Sequence, residues 1–137
     1  MNIRPLILKD RAKLHSMLIN SRAFTDEEID VAMELIDIVL KDESQKDYKI
    51  FCMVDDQDQS MGYICYGPTP MTQGTFDLYW ILVDTNFQGQ GIGSKLLDFL
   101  EEVVRGKGGR MILADTSTIP QYEKTKSFYL QNGFQEV

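Results

Sequence analysis

The sequence predicts an α/β fold in which a half built on a β-hairpin is joined to a half built on a helical crossover. Two apolar segments flank the polar stretch 55–60, as in a hairpin with a polar tip. A strand at 76–83, rich in aromatic and β-branched residues, leads through a glycine-rich turn into an amphipathic helix at 93–105, and the apolar segment 110–114 follows. Strands and helices in this order are typical of a sheet covered by helices.

The elements are expected in the order β-α-α-β-β-β-α-β-α, within a single domain that spans residues 1–137. Asp10 is the expected N-cap of the first helix. Thr25 and Glu28 have the spacing of a capping box, in which each side chain binds the other residue's backbone N–H, at the start of the second helix. The predicted ranges are 2–8, 9–21, 25–40, 48–54, 61–67, 76–83, 93–105, 110–114 and, for the last helix, 120 or 121 to 131.

The charge and hydropathy of the chain exclude several classes of function. A net charge of −7 argues against binding to nucleic acid, because phosphate neutralisation needs clustered Lys and Arg, and it favours a cationic substrate such as an amine. No apolar run is long enough to cross a bilayer, and the first residues do not resemble a secretory signal. The cytoplasm is therefore the expected location, with no membrane partner.

The cysteines and the histidine do not predict a metal site. Cys52 and Cys65 lie in apolar runs and form no CxxC pair, so both are expected to be reduced packing residues. The lone His15 lies in the first helix without ligand partners, and we expect it to be a surface or packing residue.

The turn at 84–94 is the most informative stretch. Gly89, Gly91 and Gly93 alternate between a buried strand and an amphipathic helix. Backbone without Cβ atoms lets successive N–H groups approach a ligand, and the helix beyond offers unpaired N–H groups and a partial positive charge. The stretch therefore predicts an anion site suited to phosphate or pyrophosphate.

Two other phosphate-binding motifs do not fit this turn. The chain contains no Gly-x-x-x-x-Gly-Lys-Ser/Thr run, which a P-loop requires. The dinucleotide fingerprint needs a third glycine where Ser94 stands, and a hairpin precedes this turn instead of an early βαβ unit. A glycine-rich connection without a ligand is the remaining alternative.

Two motifs resemble the GNAT N-acetyltransferase superfamily. The run Gln88-x-x-Gly91-x-Gly93 is similar to the family's acyl-CoA-binding signature, and 78–83 resembles its fourth strand. The stretch 127–134, with Phe-Tyr-x-x-x-Gly-Phe, resembles its terminal helix. The resemblance implies a GNAT-like α/β fold: a mixed central sheet with antiparallel N-terminal strands and flanking helices.

The resemblance also implies the contacts of acetyl-CoA, the expected co-substrate. The edge of the strand at Ile81, Leu82 and Val83 would pair with the pantetheine amides, and an N–H near Ile81 would stabilise the tetrahedral intermediate. Tyr122 stands where many relatives have an asparagine that contacts the cofactor. Backbone N–H groups would bind the pyrophosphate along Gln88, Gly89, Gln90, Gly91, Ile92, Gly93 and Ser94.

The catalytic residues follow from the same resemblance. Tyr129 matches the general acid that protonates the departing CoA thiolate, and a phenol with a reference pKa of about 10 is protonated as that task requires. A core aromatic is the alternative interpretation. Asp77 lies where some members carry a catalytic glutamate, although it could instead bind the substrate amine or end the strand. Tyr79 or an ordered water chain is the alternative base.

The end of the chain departs from the family pattern. GNAT proteins usually add two strands after the Gly-Phe pair, whereas this sequence stops at Val137, so the fold is expected to lack them and to leave 110–114 as an exposed edge. A truncated chain, a homodimer that pairs through this edge, and a lost part of the acceptor site all stay open.

The resemblance thus implies an N-acetyltransferase that transfers an acetyl group from acetyl-CoA to a primary amine, on a small molecule or a peptide, by direct attack. A covalent acyl-enzyme is disfavoured, because no Cys or Ser has an obvious His partner. The main alternative is a non-catalytic acyl-CoA-binding or regulatory module, and a structural interaction domain is a third.

Overall fold

The computed structural model describes residues 1–114 and 128–135, and within them it has the predicted α/β architecture around a five-stranded mixed sheet. The sheet order follows the sequence, β1-β2-β3-β4-β5; neighbours are antiparallel from β1 to β4, and β5 runs parallel to β4. The elements are β1 Asn2–Pro5, α1 Asp10–Ser21, α2 Asp26–Lys41, β2 Lys49–Val54, β3 Ser60–Pro68, β4 Thr75–Val83, α3 Ile92–Gly106 and β5 Met111–Ala114.

The predicted element order is confirmed through β5, and the chain is helical again at 128–131. The largest difference is at β1, which ends three residues earlier than expected because residues 7–10 already form a turn, with Asp10 N–H bonded to the Ile7 carbonyl at 3.0 Å. The predicted start of the last helix, at 120 or 121, lies outside the described residues. Among the described helices, none is long and apolar enough to cross a membrane.

The sheet separates two apolar clusters, each covered by helices on one side. The α1/α2 cluster includes Leu14, Leu18, Ile36, Cys52, Tyr63 and Cys65. The α3 cluster includes Ile64, Phe76, Leu78, Leu96 and Leu100, with Phe128, Tyr129 and Phe134 packed against it. Burying both faces of the sheet removes most of its apolar side chains from water, which is the main favourable contribution to folding.

The cysteines are buried, as predicted. Cys52 and Cys65 are free thiols inside the α1/α2 cluster. Burial raises the pKa of each thiol to about 12, so both are protonated at neutral pH. His15 is exposed on α1. No group of three His, Cys, Asp or Glu side chains in the described ranges is placed to hold a metal ion.

The two predicted helix caps have different outcomes. The capping box is confirmed: the Thr25 hydroxyl accepts from Glu28 N–H at 3.1 Å, and the Glu28 carboxylate accepts from Thr25 N–H at 2.9 Å. The prediction that Asp10 is the N-cap of α1 is wrong, since Lys9 holds that position without a side-chain bond. Asp10 instead begins the helix with its carboxylate buried at 2% exposure.

The Asp10 carboxylate joins three parts of the fold. Arg4 of β1 donates to both of its oxygens, at 2.8 and 2.9 Å, and Ile7 N–H donates at 2.9 Å. The Ser60 hydroxyl of β3 donates at 3.2 Å. Burial acts to raise the pKa of Asp10, but the bonds from Arg4 and Ile7 outweigh it and hold this pKa below its ordinary value.

We expect Asp10→Asn to lower the free energy of unfolding by about 3–5 kcal/mol near neutral pH, because it leaves Arg4 without its buried partner. A carboxyl whose pKa is depressed by folding stabilises the protein above its unfolded pKa of about 3.9, and this stability is lost as pH falls through the folded value. Urea denaturation across this acidic range should therefore show a free energy of unfolding that depends less on pH in the variant than in the parent.

The matched control is Asp58→Asn, which removes a more exposed partner of Arg4. An equal loss in both variants would contradict this account of Asp10.

Candidate functional site

The site begins with an irregularity in β4. Leu78 pairs with Tyr66 and Trp80 pairs with Cys65, so Tyr79 is an extra residue between them. Such a bulge bends its strand and reverses the alternation of side chains beyond it. Leu78 accordingly packs in the α3 cluster, whereas Trp80 packs against the α1/α2 cluster. Residues 78–83 are all apolar or aromatic, so the reversed alternation leaves no visible change in the sequence pattern, and sequence reasoning missed the bulge.

The bulge is adjacent to the last described pair between β4 and β5. In the described residues, the parallel register runs from Thr75 beside Met111 to Leu78 beside Ala114, and no β5 residue pairs with β4 beyond it. The stretch 79–83 lies beyond the last of these pairs, and its backbone edge on the β5 side has no partner among residues 1–114 and 128–135; we call it the open edge of β4. The predicted pantetheine contacts Ile81, Leu82 and Val83 all lie along it. Their side chains are half-buried or buried on the two faces of the sheet, so a ligand would meet their backbone groups.

The turn after β4 ends in an uncapped helix. Gly91 is the N-cap of α3 with φ of 76°, and it has no side chain to accept from the first helical N–H groups. The first backbone bond of the helix runs from Lys95 N–H to the Gly91 carbonyl. The N–H groups of Ile92, Gly93 and Ser94 precede that bond, so the helix itself supplies no acceptor for them. No acidic residue lies in the first turn of α3. These features together make a backbone site suited to an anion.

The three glycines of the turn have two physical roles. Gly89 and Gly91 have φ of 83° and 76°, a backbone region that L side chains disfavour, and a Cβ on either would meet nothing within 4 Å. Gly93 has no such φ, but a Cβ there would lie 2.9 Å from Cζ of Phe128. The first two glycines shape the turn, and the third lets the terminal helix pack against α3.

The structure brings the predicted pyrophosphate residues together. They form one continuous surface from the end of β4 to the first turn of α3. Gln88, Gly89, Gln90 and Gly91 are exposed, whereas Ile92 and Gly93 are buried and can offer only backbone atoms. Tyr122, the remaining predicted cofactor contact, lies outside the described residues.

Tyr129 lies on the α3 side of the sheet. Its ring contacts Phe128 and Phe134, with centroid distances of 5.5 and 5.2 Å. Burial raises the pKa of its phenol to about 12, so the hydroxyl is protonated at neutral pH. Tyr129 thus combines a protonated hydroxyl, as a general acid requires, with a ring that packs against two aromatic neighbours.

Asp77 lies on the other side of the sheet. Its neighbours Phe76 and Leu78 both pack in the α3 cluster, so strand alternation turns the Asp77 carboxylate toward the opposite face. There the Tyr79 hydroxyl donates to it at 3.5 Å. Burial and the Asp77 charge raise the pKa of Tyr79, which makes Tyr79 a poor base near neutral pH. The structure therefore places the two predicted catalytic residues on opposite faces of β4.

An ion pair at the start of the turn was also missed from sequence. Asp84 directly follows β4 and is buried at 5% exposure, and its Oδ2 lies 2.8 Å from Nζ of Lys13 on α1. Its other oxygen accepts from Asn86 N–H at 3.0 Å. An aspartate at the start of a short turn could have suggested the bond to Asn86, but no local pattern identifies Lys13.

Comparison with known proteins agrees with this geometry. The family profile described as an acetyltransferase (GNAT) domain matches residues 46–136. A solved structure from Desulfovibrio desulfuricans, assigned to the GNAT family of acetyltransferases, has a TM-score of 0.92 and 39% identity, and covers 99% of this chain and 86% of that chain. No curated protein sequence matches.

Two more distant solved structures show the same fold. Ribosomal-protein-alanine N-acetyltransferase from Brucella melitensis has a TM-score of 0.71 at 18% identity, with coverage of 99% of this chain and 94% of that chain. AAC(6')-Iy, solved in complex with the bisubstrate analogue CoA-S-monomethyl-acetylneamine, has a TM-score of 0.71 at 18% identity, with coverage of 98% and 90%. At this identity the likeness concerns the fold alone.

Proposed function

Because the chain belongs to the GNAT acetyltransferase family, we propose that it is an N-acetyltransferase that transfers the acetyl group of acetyl-CoA to a primary amine by direct attack in a ternary complex. The observation that carries the proposal is the uncapped N-terminus of α3, which follows β4 after a short turn. An anion site at the end of this strand fits a ligand with a pyrophosphate at one end and amides along its length. We further propose that residues 1–137 form one acyl-CoA-binding domain.

The cofactor contacts are proposed along this surface. The backbone N–H groups of 88–94 bind the pyrophosphate, and the edge at 81–83 pairs with the pantetheine amides as an added strand would. The binding of a CoA-containing bisubstrate analogue by AAC(6')-Iy, which has the same fold, supports this placement. Added-strand pairing would leave the thioester near the bulge at Tyr79.

Acetyl transfer then needs a proton acceptor on one side of the thioester and a proton donor on the other. The amine approaches from the face of Asp77, where the carboxylate accepts its proton directly or through water. The amine nitrogen bonds to the acetyl carbon, and an N–H near Ile81 stabilises the oxyanion. The carbon–sulfur bond then breaks, and the Tyr129 hydroxyl, on the opposite face, protonates the CoA thiolate. The opposite placement of the two side chains suits this sequence of proton transfers.

The acceptor is proposed to be a cationic amine, either a small molecule or a peptide. The support is the Asp77 carboxylate beside the half-exposed ring of Tyr79, together with the net charge of −7. A carboxylate favours an ammonium group, and an aromatic ring accommodates both its charge and its apolar body.

We expect acetyl-CoA to raise the melting temperature of the protein by several degrees. A ligand that binds only the folded state stabilises it by about 2.7 kcal/mol at a hundredfold excess over Kd. Thermal unfolding with and without acetyl-CoA measures this shift, and release of free CoA with a panel of amines then measures turnover. Acetyl-pantetheine, which lacks the pyrophosphate, should give a much smaller shift. A folded protein with no shift would contradict the proposal, and a shift without turnover would favour the non-catalytic alternative.

A further inference from the structure

The turn that precedes the anion site contains a buried negative charge. Asp84 is 5% exposed and stands four residues before Gln88. Its backbone is fixed by two bonds: its N–H donates to the Met61 carbonyl at 2.8 Å, and its carbonyl accepts from Phe87 N–H at 2.8 Å. Its Oδ1 accepts from Asn86 N–H at 3.0 Å. Asp84 therefore shapes the chain between β4 and the glycines.

The charge of Asp84 opposes the proposed ligand of the same turn. A carboxylate needs to be paired when it is buried, and an unpaired one in the turn that leads to α3 would repel a pyrophosphate bound to that turn. Lys13 supplies the pairing charge from α1, with Nζ 2.8 Å from the carboxylate Oδ2. Burial acts to raise the pKa of Asp84, but the bonds from Lys13 and Asn86 hold it below its ordinary value, so the charge persists at neutral pH.

We propose that Lys13 is a positioning residue for acyl-CoA. It neutralises the carboxylate that shapes the pyrophosphate-binding turn, and through this ion pair α1 influences the affinity for the cofactor. This inference rests on the proposed function, because it assumes that the turn binds a pyrophosphate. It assigns a cofactor-related role to α1, which lies outside the glycine signature and the open edge of β4. Lys13 acts through Asp84 and takes no part in the chemistry.

The alternative is that the ion pair is only a clamp between α1 and the turn. The two interpretations predict different changes in the Kd for CoA when the Asp84 charge is removed. A clamp is lost whichever partner is removed, so both single variants would weaken cofactor binding. Under charge neutralisation the two variants differ, because removing Lys13 leaves an unpaired negative charge whereas removing the Asp84 charge leaves a cation near the anion site.

The test is the Kd for CoA, measured by isothermal titration calorimetry on the full chain. Lys13→Met should raise this Kd about tenfold. Lys13→Arg keeps the positive charge, so its Kd should stay close to that of the parent. Asp84→Asn keeps an amide oxygen for the Asn86 N–H, so its Kd should stay unchanged or fall. The double variant should return to within about threefold of the parent, because neither charge is then unpaired. Lys13→Gln replaces Lys13→Met should the latter fail to fold.

Equal weakening in Lys13→Met and Asp84→Asn, with no recovery in the double variant, would overturn the inference. A parent protein that does not bind CoA would instead overturn the proposed function, so the two failures are distinguishable.

Discussion

Replacement of Tyr129 by phenylalanine is expected to lower kcat for acetyl transfer by about a hundredfold, the lower end of the range for general acid catalysis, because a CoA thiolate is a moderate leaving group. The Kd for acetyl-CoA should change by less than about twofold, since the ring that contacts Phe128 and Phe134 is retained. Steady-state kinetics with a fixed amine, together with calorimetric titration of acetyl-CoA, separates the two effects.

The matched control is Tyr66→Phe. Tyr66 packs in the same α3 cluster, and burial also raises its pKa to about 12, but it lies on β3 away from the open edge. Its loss of a hydroxyl should leave kcat within about twofold of the parent. Equal kcat in the parent and Tyr129→Phe would remove Tyr129 from the mechanism and leave it as a packing residue. Because the phenol pKa is about 12, the parent should also show no loss of rate from this group below pH 10 or so.

Local patterns in the sequence were sufficient to predict most of the fold. The apolar runs of β2 and β3 around a polar tip and the apolar stripe of α3 identify these elements from their own residues alone. The capping box of α2 is equally local, because Thr25 and Glu28 are three residues apart. The glycine signature predicted the uncapped helix for the same reason: the φ values of Gly89 and Gly91 are a property of the turn itself.

The features missed from the sequence all depend on contacts between distant segments. The bulge at Tyr79 is visible only when β4 is paired with β3. Asp10 looked like a helix cap because its position fits one, but Arg4 and Ser60 draw its carboxylate into the core. Gly93 was predicted from its place in the turn, and the sequence did not show that Phe128 also requires it to lack a Cβ. Each of these follows from tertiary packing, which periodicity and local spacing do not contain.

The second large effect is expected at the anion site itself. Gly91→Glu should weaken CoA binding by more than about a hundredfold. The new carboxylate lies at the N-terminus of α3 and competes with the pyrophosphate for the same N–H groups. In addition, position 91 has a positive φ, which adds strain of about 1–2 kcal/mol once the residue has a side chain. Calorimetric titration of CoA measures the loss, and circular dichroism shows whether the variant is folded.

Two further variants, Gly91→Ala and Gly108→Glu, separate the contribution of backbone strain from that of the charge at the anion site. Gly91→Ala introduces the strained φ of 76° without a charge, and nothing within 4 Å obstructs its Cβ. It should cost stability and weaken CoA binding by less than about tenfold. Gly108 has φ of 73° and equally open surroundings, but it lies at the far end of α3. Gly108→Glu therefore carries the same strain and the same charge away from the site, and should bind CoA as the parent does. If Gly108→Glu lost CoA binding as fully as Gly91→Glu, the loss would reflect damage to α3, and the N-terminus of that helix would no longer be the place where the cofactor's charge is held.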